Sequence, residues 1–132
     1  MALSFSFRDK VPTIPVELDG VTYRARAGSS RTVEELKRVS KAMVALGDFA
    51  KADDVDVDGA LKAIEAIDAP LRKAVAELFG KDAVAGIVGD GPADIVTAVD
   101  VVYLLTTVIN SDEYLSATRA YVSARAKTAG KD

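Results

Sequence analysis

In this chain of 132 residues the types and spacing best suited to chemistry lie at Asp54, Asp56 and Asp58, with Gly59 after them and Glu65 at the twelfth position counted from Asp54. A calcium ion needs several oxygen ligands around one point, and this spacing, the pattern of an EF-hand loop, supplies them from one short segment. Other features of the same stretch oppose that reading. Val55 and Val57 stand where tight turning favours Gly, Asn or Lys, because β-branched side chains resist such backbone angles. Asp53 takes the place of an apolar residue from an incoming helix, and no second loop is present to pair with the first. The simpler reading makes Asp56 or Asp58 the cap of a helix start, where a carboxylate complements the dipole, and puts Glu65 on that helix's solvent face.

The remaining constellations are weaker. Gly86, Gly89 and Gly91 resemble a phosphate-cradling loop, yet no strand pattern precedes them and no Gly-Lys-Ser follows, so they read as turn punctuation. Ser123 and Lys127 fall one helical turn apart, but in a polar terminal turn they form a solvated surface pair rather than a nucleophile and its base. Asp100 interrupts an apolar run, and a carboxylate there requires a cationic partner, a solvent-facing side or a partner chain. Tyr23, Tyr103, Tyr114, Tyr121 and Phe79 read as core or interface residues.

Composition narrows the chemistry further. The chain contains no His, Cys or Trp. That excludes disulfides, thiolate nucleophiles, iron–sulfur sites, the usual zinc sites and triad catalysis through histidine. An enzyme here would have to rely on carboxylates, lysine, tyrosine or serine, and no two acidic residues are spaced to share one apolar pocket. A non-enzymatic protein without a cofactor is therefore expected.

With 49% hydrophobic and 28% charged residues the chain falls in the globular range, and its length suits one domain with one core. A net charge of −3 argues against general nucleic-acid binding, which needs a concentrated positive footprint. The charge is uneven. Residues 1–31 carry five basic and three acidic side chains, a net +2, which leaves −5 for the rest. The opening Met-Ala-Leu-Ser-Phe-Ser-Phe lacks the basic and continuous apolar regions of a signal peptide. The longest apolar stretch, 95–109, is shorter than the roughly 20 residues that span a bilayer. A soluble, cytoplasmic protein that binds neither membrane nor nucleic acid is expected.

These residues must be positioned by an α+β fold. Leu3, Phe5 and Phe7 alternate with polar residues, and Ile14, Val16 and Leu18 resume that period of two after a break at Pro12 and Pro15. Asp19-Gly20 is a two-residue hairpin turn, beyond which Val21, Tyr23 and Ala25 continue the alternation. A small antiparallel hairpin or meander over residues 3–26, within a β segment of 1–28, is predicted. A bundle of four to five helices over 32–128 follows. Thr32 and Glu35 form a capping box for a first helix over 32–51, with its stripe at Leu36, Val39, Met43, Leu46 and Ala50. A second helix uses Leu61, Ile64, Ile67, Leu71, Val75 and Leu78, and Pro70 should kink or divide it. A short helix over 81–88, a buried helix over 93–109 started by Pro92 and Asp94, and a last helix with Tyr114, Leu115, Thr118, Tyr121 and Val122 on its face complete the chain.

From Ala60 onward the order of features resembles the tail assembly chaperones of long-tailed bacteriophages. The runs that carry the resemblance are Leu61-Lys62-Ala63-Ile64-Glu65-Ala66-Ile67-Asp68, then Val75-Ala76-Glu77-Leu78-Phe79-Gly80-Lys81-Asp82-Ala83-Val84 to Gly89-Asp90, then a long apolar helix. Asp19-Gly20-Val21-Thr22-Tyr23 matches the short β segment of that family. The similarity covers about residues 14–109 and is one of layout and short motifs. Pro70, the Leu3–Phe7 segment and the helix over 114–128 depart from it. The resemblance implies a protein of the bacterial host cytoplasm that binds the tape-measure protein, with tail-tube subunits as a further partner, during tail assembly. It also implies many copies, and so a homo-oligomer. The alternatives from other classes are a helical module with a calcium loop at Asp54, Asp56, Asp58 and Glu65, or a generic oligomeric interaction domain.

Overall fold

A computed structural model of the chain describes residues 2–4, 11–50 and 57–129. Two strands, β1 (Thr13–Leu18) and β2 (Val21–Arg26), pair antiparallel and are followed by α1 (Ser30–Ala50) and α2 (Val57–Phe79). A 3₁₀ turn (Lys81–Ala83) runs into the one-turn helix α3 (Val84–Ile87), and α4 (Ile95–Ile109) and α5 (Asp112–Ala129) close the chain. The architecture is α+β: a hairpin followed by a helical bundle.

The hairpin is built as its alternation requires. Leu18 pairs with Val21, Val16 with Tyr23 and Ile14 with Ala25, which puts the apolar residues of both strands on one face. Asp19 and Gly20 turn the chain at φ 50° and 82°, the positive angles that a two-residue turn matched to strand twist demands. The amide of Ala27 donates to the carbonyl of Pro12 and extends the ladder by one step. No third strand is present among the described residues. Leu3 is 87% exposed outside any strand, and Phe5 and Phe7 lie outside the described residues, so the sheet predicted over 3–26 is reduced to 13–26.

Helices α1 and α2 form an antiparallel pair, and α2 is the element against which β2, α3 and α4 all pack. Its Ile67, Leu71, Ala74, Val75 and Leu78 are at most 2% exposed. Leu61, assigned to the same stripe, is instead 52% exposed, and Ala63 takes its place in the interior. The reason is geometric. The side-chain ties from α2 to the hairpin and to the α3–α4 loop lie at Asp68, Arg72 and Phe79, two turns or more beyond Leu61.

Pro70 lies inside α2 without dividing it. It removes the amide that would bond the carbonyl of Ala66, and Ala66 is on the exposed side of the helix, where water can serve that carbonyl.

The start of α1 also differs from the expected capping box. The helix begins at Ser30, so Thr32 falls within its first turn and is fully buried. Thr32 Oγ1 lies 2.6 Å from Ser29 Oγ and 3.4 Å from the carbonyl oxygen of Ala74, while Ser29 Oγ is 3.4 Å from that of Glu77. The two hydroxyls thus tie α1 to α2 rather than cap it in isolation. Glu35, its side chain only 13% exposed, accepts a 2.7 Å bond from Arg38 instead of taking the expected role.

Tyr114 and Thr118 fasten α5 to the chain between hairpin and α1. The Tyr114 hydroxyl accepts from the Ser29 amide at 2.7 Å, and Thr118 Oγ1 accepts from the Gly28 amide at 3.0 Å. Tyr114 is buried, whereas Leu115 and Val122, also placed on the inner face by their spacing, are exposed at 37% and 59%.

Replacing Leu71 by Ala deletes a fully buried side chain at the centre of this arrangement. Urea denaturation should show a loss of about 2–5 kcal/mol. A loss below about 1 kcal/mol would mean that the neighbours collapse into the space and that α2 is not the packing centre.

Candidate functional site

The described acidic residues of the calcium pattern are helical. Val57 opens α2, so Asp58 lies in its first turn and Gly59 follows inside the helix, where a calcium loop would make its sharp turn. Asp58 and Glu65 are both exposed, and Asp54 and Asp56 lie outside the described residues. Among the described residues no group of three or more His, Cys, Asp or Glu is placed to hold a metal ion.

The glycines divide by role. Gly89 has φ 104°, a turn conformation that favours glycine, but Gly86 lies inside α3 and is needed for close packing. A Cβ there would run into the hydroxyl of Tyr23, whose ring meets Phe79 edge-on at 6.1 Å. Gly86 therefore lets the hairpin seat against α3, a role that turn signals in the sequence do not announce. Ser123 is exposed on α5.

The feature that stands out is α4. Ala98, Val101, Leu105 and Val108, spaced by three and four, turn inward and are buried. The opposite side is apolar too: Val96 is 66%, Val99 54% and Tyr103 73% exposed, again at helical spacing, with Ile95 beside them at 41%. The expected buried helix is thus buried on one side only. Its β-branched residues do not turn it into a strand, because Asp94 caps its start and the inward stripe finds α2.

Two clamps fix where α4 points. Asp94 Oδ1 accepts the Thr97 amide at 2.8 Å and closes the first turn. Arg72, on α2, donates from Nε to both carboxylate oxygens of Asp68, at 3.1 and 3.0 Å, from Nη1 to the Gly89 carbonyl at 2.9 Å, and from Nη2 to the Gly91 carbonyl. Asp68 in turn accepts the Ala93 amide at 2.9 Å. One guanidinium and one carboxylate, a helical turn apart, grip the loop that launches α4.

Between α4, α3 and the tip of the hairpin lies an open groove of about 560 Å3. Val16, Leu18, Ile87, Val101, Leu104 and Val108 give it an apolar floor. Thr97 and Thr107 line it as well, with Tyr103 at the edge of the exposed stripe. Its charged residues are Asp19 and Asp100, and neither makes an ion pair or hydrogen bond among the described residues. Asp100 resolves to the solvent-facing option: it is exposed within α4's apolar surroundings.

A second cavity, about 890 Å3, opens between the end of β2, the start of α1 and α5. Arg26, Arg31 and Lys81 line it against Glu77. Two of the five basic residues of 1–31, Arg26 and Arg31, therefore line this cavity, at the end of the hairpin opposite its turn, while the groove at the turn is acidic. No single helix among the described residues is long and apolar enough to cross a membrane.

Both clamps can be tested. Arg72→Ala should cost about 1–2 kcal/mol and speed hydrogen exchange at the amides of residues 89–91 and 93; unchanged exchange would show that the loop holds itself. The Asp94 carboxyl is held below its ordinary value of 3.8, first by the Thr97 amide and then by the Thr97 side chain. A depressed value means that its contribution is present above the unfolded-state pKa and is lost as pH falls through the folded one. Asp94→Ala should therefore lower the melting temperature at neutral pH, with the gap to the wild type closing on acidification. A gap independent of pH would assign the effect to something other than the cap's charge. Compared with family models, with curated proteins and with solved structures, the chain matches none.

Proposed function

We propose that this protein is a non-enzymatic tail assembly chaperone of a long-tailed bacteriophage, which binds the tape-measure protein, and tail-tube subunits as a further partner, in the host cytoplasm. The observation that carries the proposal is the outward apolar face of α4. Val96, Val99 and Tyr103 remain exposed beside a groove with an apolar floor, on a helix whose other side already fills the core. Such a surface costs solubility and is retained where something covers it. Tape-measure chains are long, helical and apolar, and helix-in-groove packing on an apolar stripe would keep their segments apart until the tube closes around them.

The layout of hairpin, helical pair, Phe79-Gly80, short helix, Gly89-Asp90 turn and apolar helix supports the same reading. Coating a long chain takes many copies, so self-association belongs to the proposal. The basic cavity and the acidic groove lie at opposite ends of the hairpin, an arrangement suited to head-to-tail contact that salt would weaken.

Co-expression with overlapping tape-measure fragments tests the function. Some fragments should become soluble and co-purify, and Val99→Asp, which puts a charge in the exposed stripe, should reduce their recovery. If no fragment is solubilised or retained, the chaperone reading loses its ground.

A further inference from the structure

Resting on the reading of α4 as the capture surface, the groove's own chemistry specifies its occupant. We propose that the groove receives an amphipathic helix that carries a lysine or arginine among its apolar anchors, and that Asp100, assisted by Asp19, reads that cation. Asp100 lies one helical turn after Val96 and one before Tyr103, at the edge of the exposed stripe where it borders the groove, whose lining it joins. A helix packed on this stripe removes water from the carboxylate. An uncompensated carboxylate taken out of water is costly, so a wholly apolar segment is disfavoured, and an acidic one is repelled as well.

No cation among the described residues offsets that cost. The groove is lined by two aspartates and by no Lys or Arg. Neither Asp19 nor Asp100 has an ion-pair partner among the described residues, whereas Asp68, the acidic side chain nearest in role, is already saturated by Arg72 and the Ala93 amide. With no described Lys or Arg at the groove, the cation is assigned to the occupant. The span from Thr97 to Val108 along α4 is about 16 Å, room for about three turns of a helix, with its apolar anchors falling at i, i+3, i+4 and i+7. Asp100 is then a specificity residue: it selects among apolar helices by sign of charge while Val101, Leu104 and Val108 supply the apolar contact.

The test uses the full chain and three synthetic helical peptides with identical leucine anchors and a Lys, Ala or Glu at one central position between them. The wild type should bind the Lys peptide roughly tenfold more tightly than the Glu peptide, with the Ala peptide between, and added salt should narrow the difference. Asp100→Asn should flatten the order and Asp100→Lys should reverse it. Asp19→Asn should reduce the preference by a smaller factor. Asp100 is exposed, so circular dichroism and melting temperature should be unchanged in these variants. An order that survives Asp100→Lys, equal binding of the Lys and Glu peptides, or no binding of any peptide by the wild type would each overturn the proposal. So would self-association of the wild type that Asp100→Lys abolishes, because the occupant would then be a second copy.

The same variants separate this inference from the function on which it rests. Tape-measure fragments that co-purify equally well with Asp100→Lys leave the chaperone reading standing and remove the charge rule. Charge-selective peptide binding without capture of any tape-measure fragment keeps the groove's rule and removes the chaperone reading.

Discussion

Five side chains of α2, Ile67, Leu71, Ala74, Val75 and Leu78, are withdrawn from water together, and α1, β2, α3 and α4 all pack against that helix. At about 25 cal/mol per Å2 of apolar surface, burial on this scale is the main favourable term available to a chain with no disulfide and no metal-binding histidine or cysteine. The face also explains the tolerance of Pro70. Its missing amide falls on the side of the helix away from the core, so the loss is one solvated carbonyl and not a break in packing. Ala74 contributes by being small: it lets the Thr32 hydroxyl come within 3.4 Å of its carbonyl, so that α1 and α2 touch backbone to side chain.

Polar contacts convert this packing into a defined geometry. Ser29 and Thr32 set α1 on α2, the Tyr114 hydroxyl and Thr118 hold α5 to residues 28 and 29, and Arg72 with Asp68 grips the loop at 89–93. Each joins segments far apart in sequence through a backbone amide or carbonyl. Arginine suits the last of these because its planar fork can serve a carboxylate and two carbonyls at once. The consequence for function is that α4 leaves the loop in a fixed direction, with one face in the core and the other free.

Charge and apolarity are then distributed around the hairpin rather than along the chain. Its turn end borders an acidic, apolar-floored groove, and its other end borders a cavity lined by Arg26, Arg31 and Lys81. Lys81 belongs to the chain's acidic remainder, yet it joins the arginines of the basic N-terminal region, because the 3₁₀ turn after α2 brings it to the end of β2. A chain with a modest net charge can thus present two surfaces of opposite sign.

The sequence by itself determined the element types. Alternation gave the strands at 13–18 and 21–26, Asp19-Gly20 their turn, and the three-four spacing of Ile67, Leu71, Val75 and Leu78 the central helix, because these patterns follow from backbone geometry within a few residues. Only the tertiary structure decided which apolar residues remain in water. Leu61, Leu115, Val122, Val96 and Val99 have the same side-chain types and spacings as their buried neighbours, and differ only in having no element packed over them. It also decided that Thr32 ties two helices instead of capping one, that Gly86 makes room for Tyr23, and that Asp100 and Asp19 line one groove. Periodicity fixes a direction on one helix, whereas burial and charge pairing depend on what the rest of the chain brings to that side.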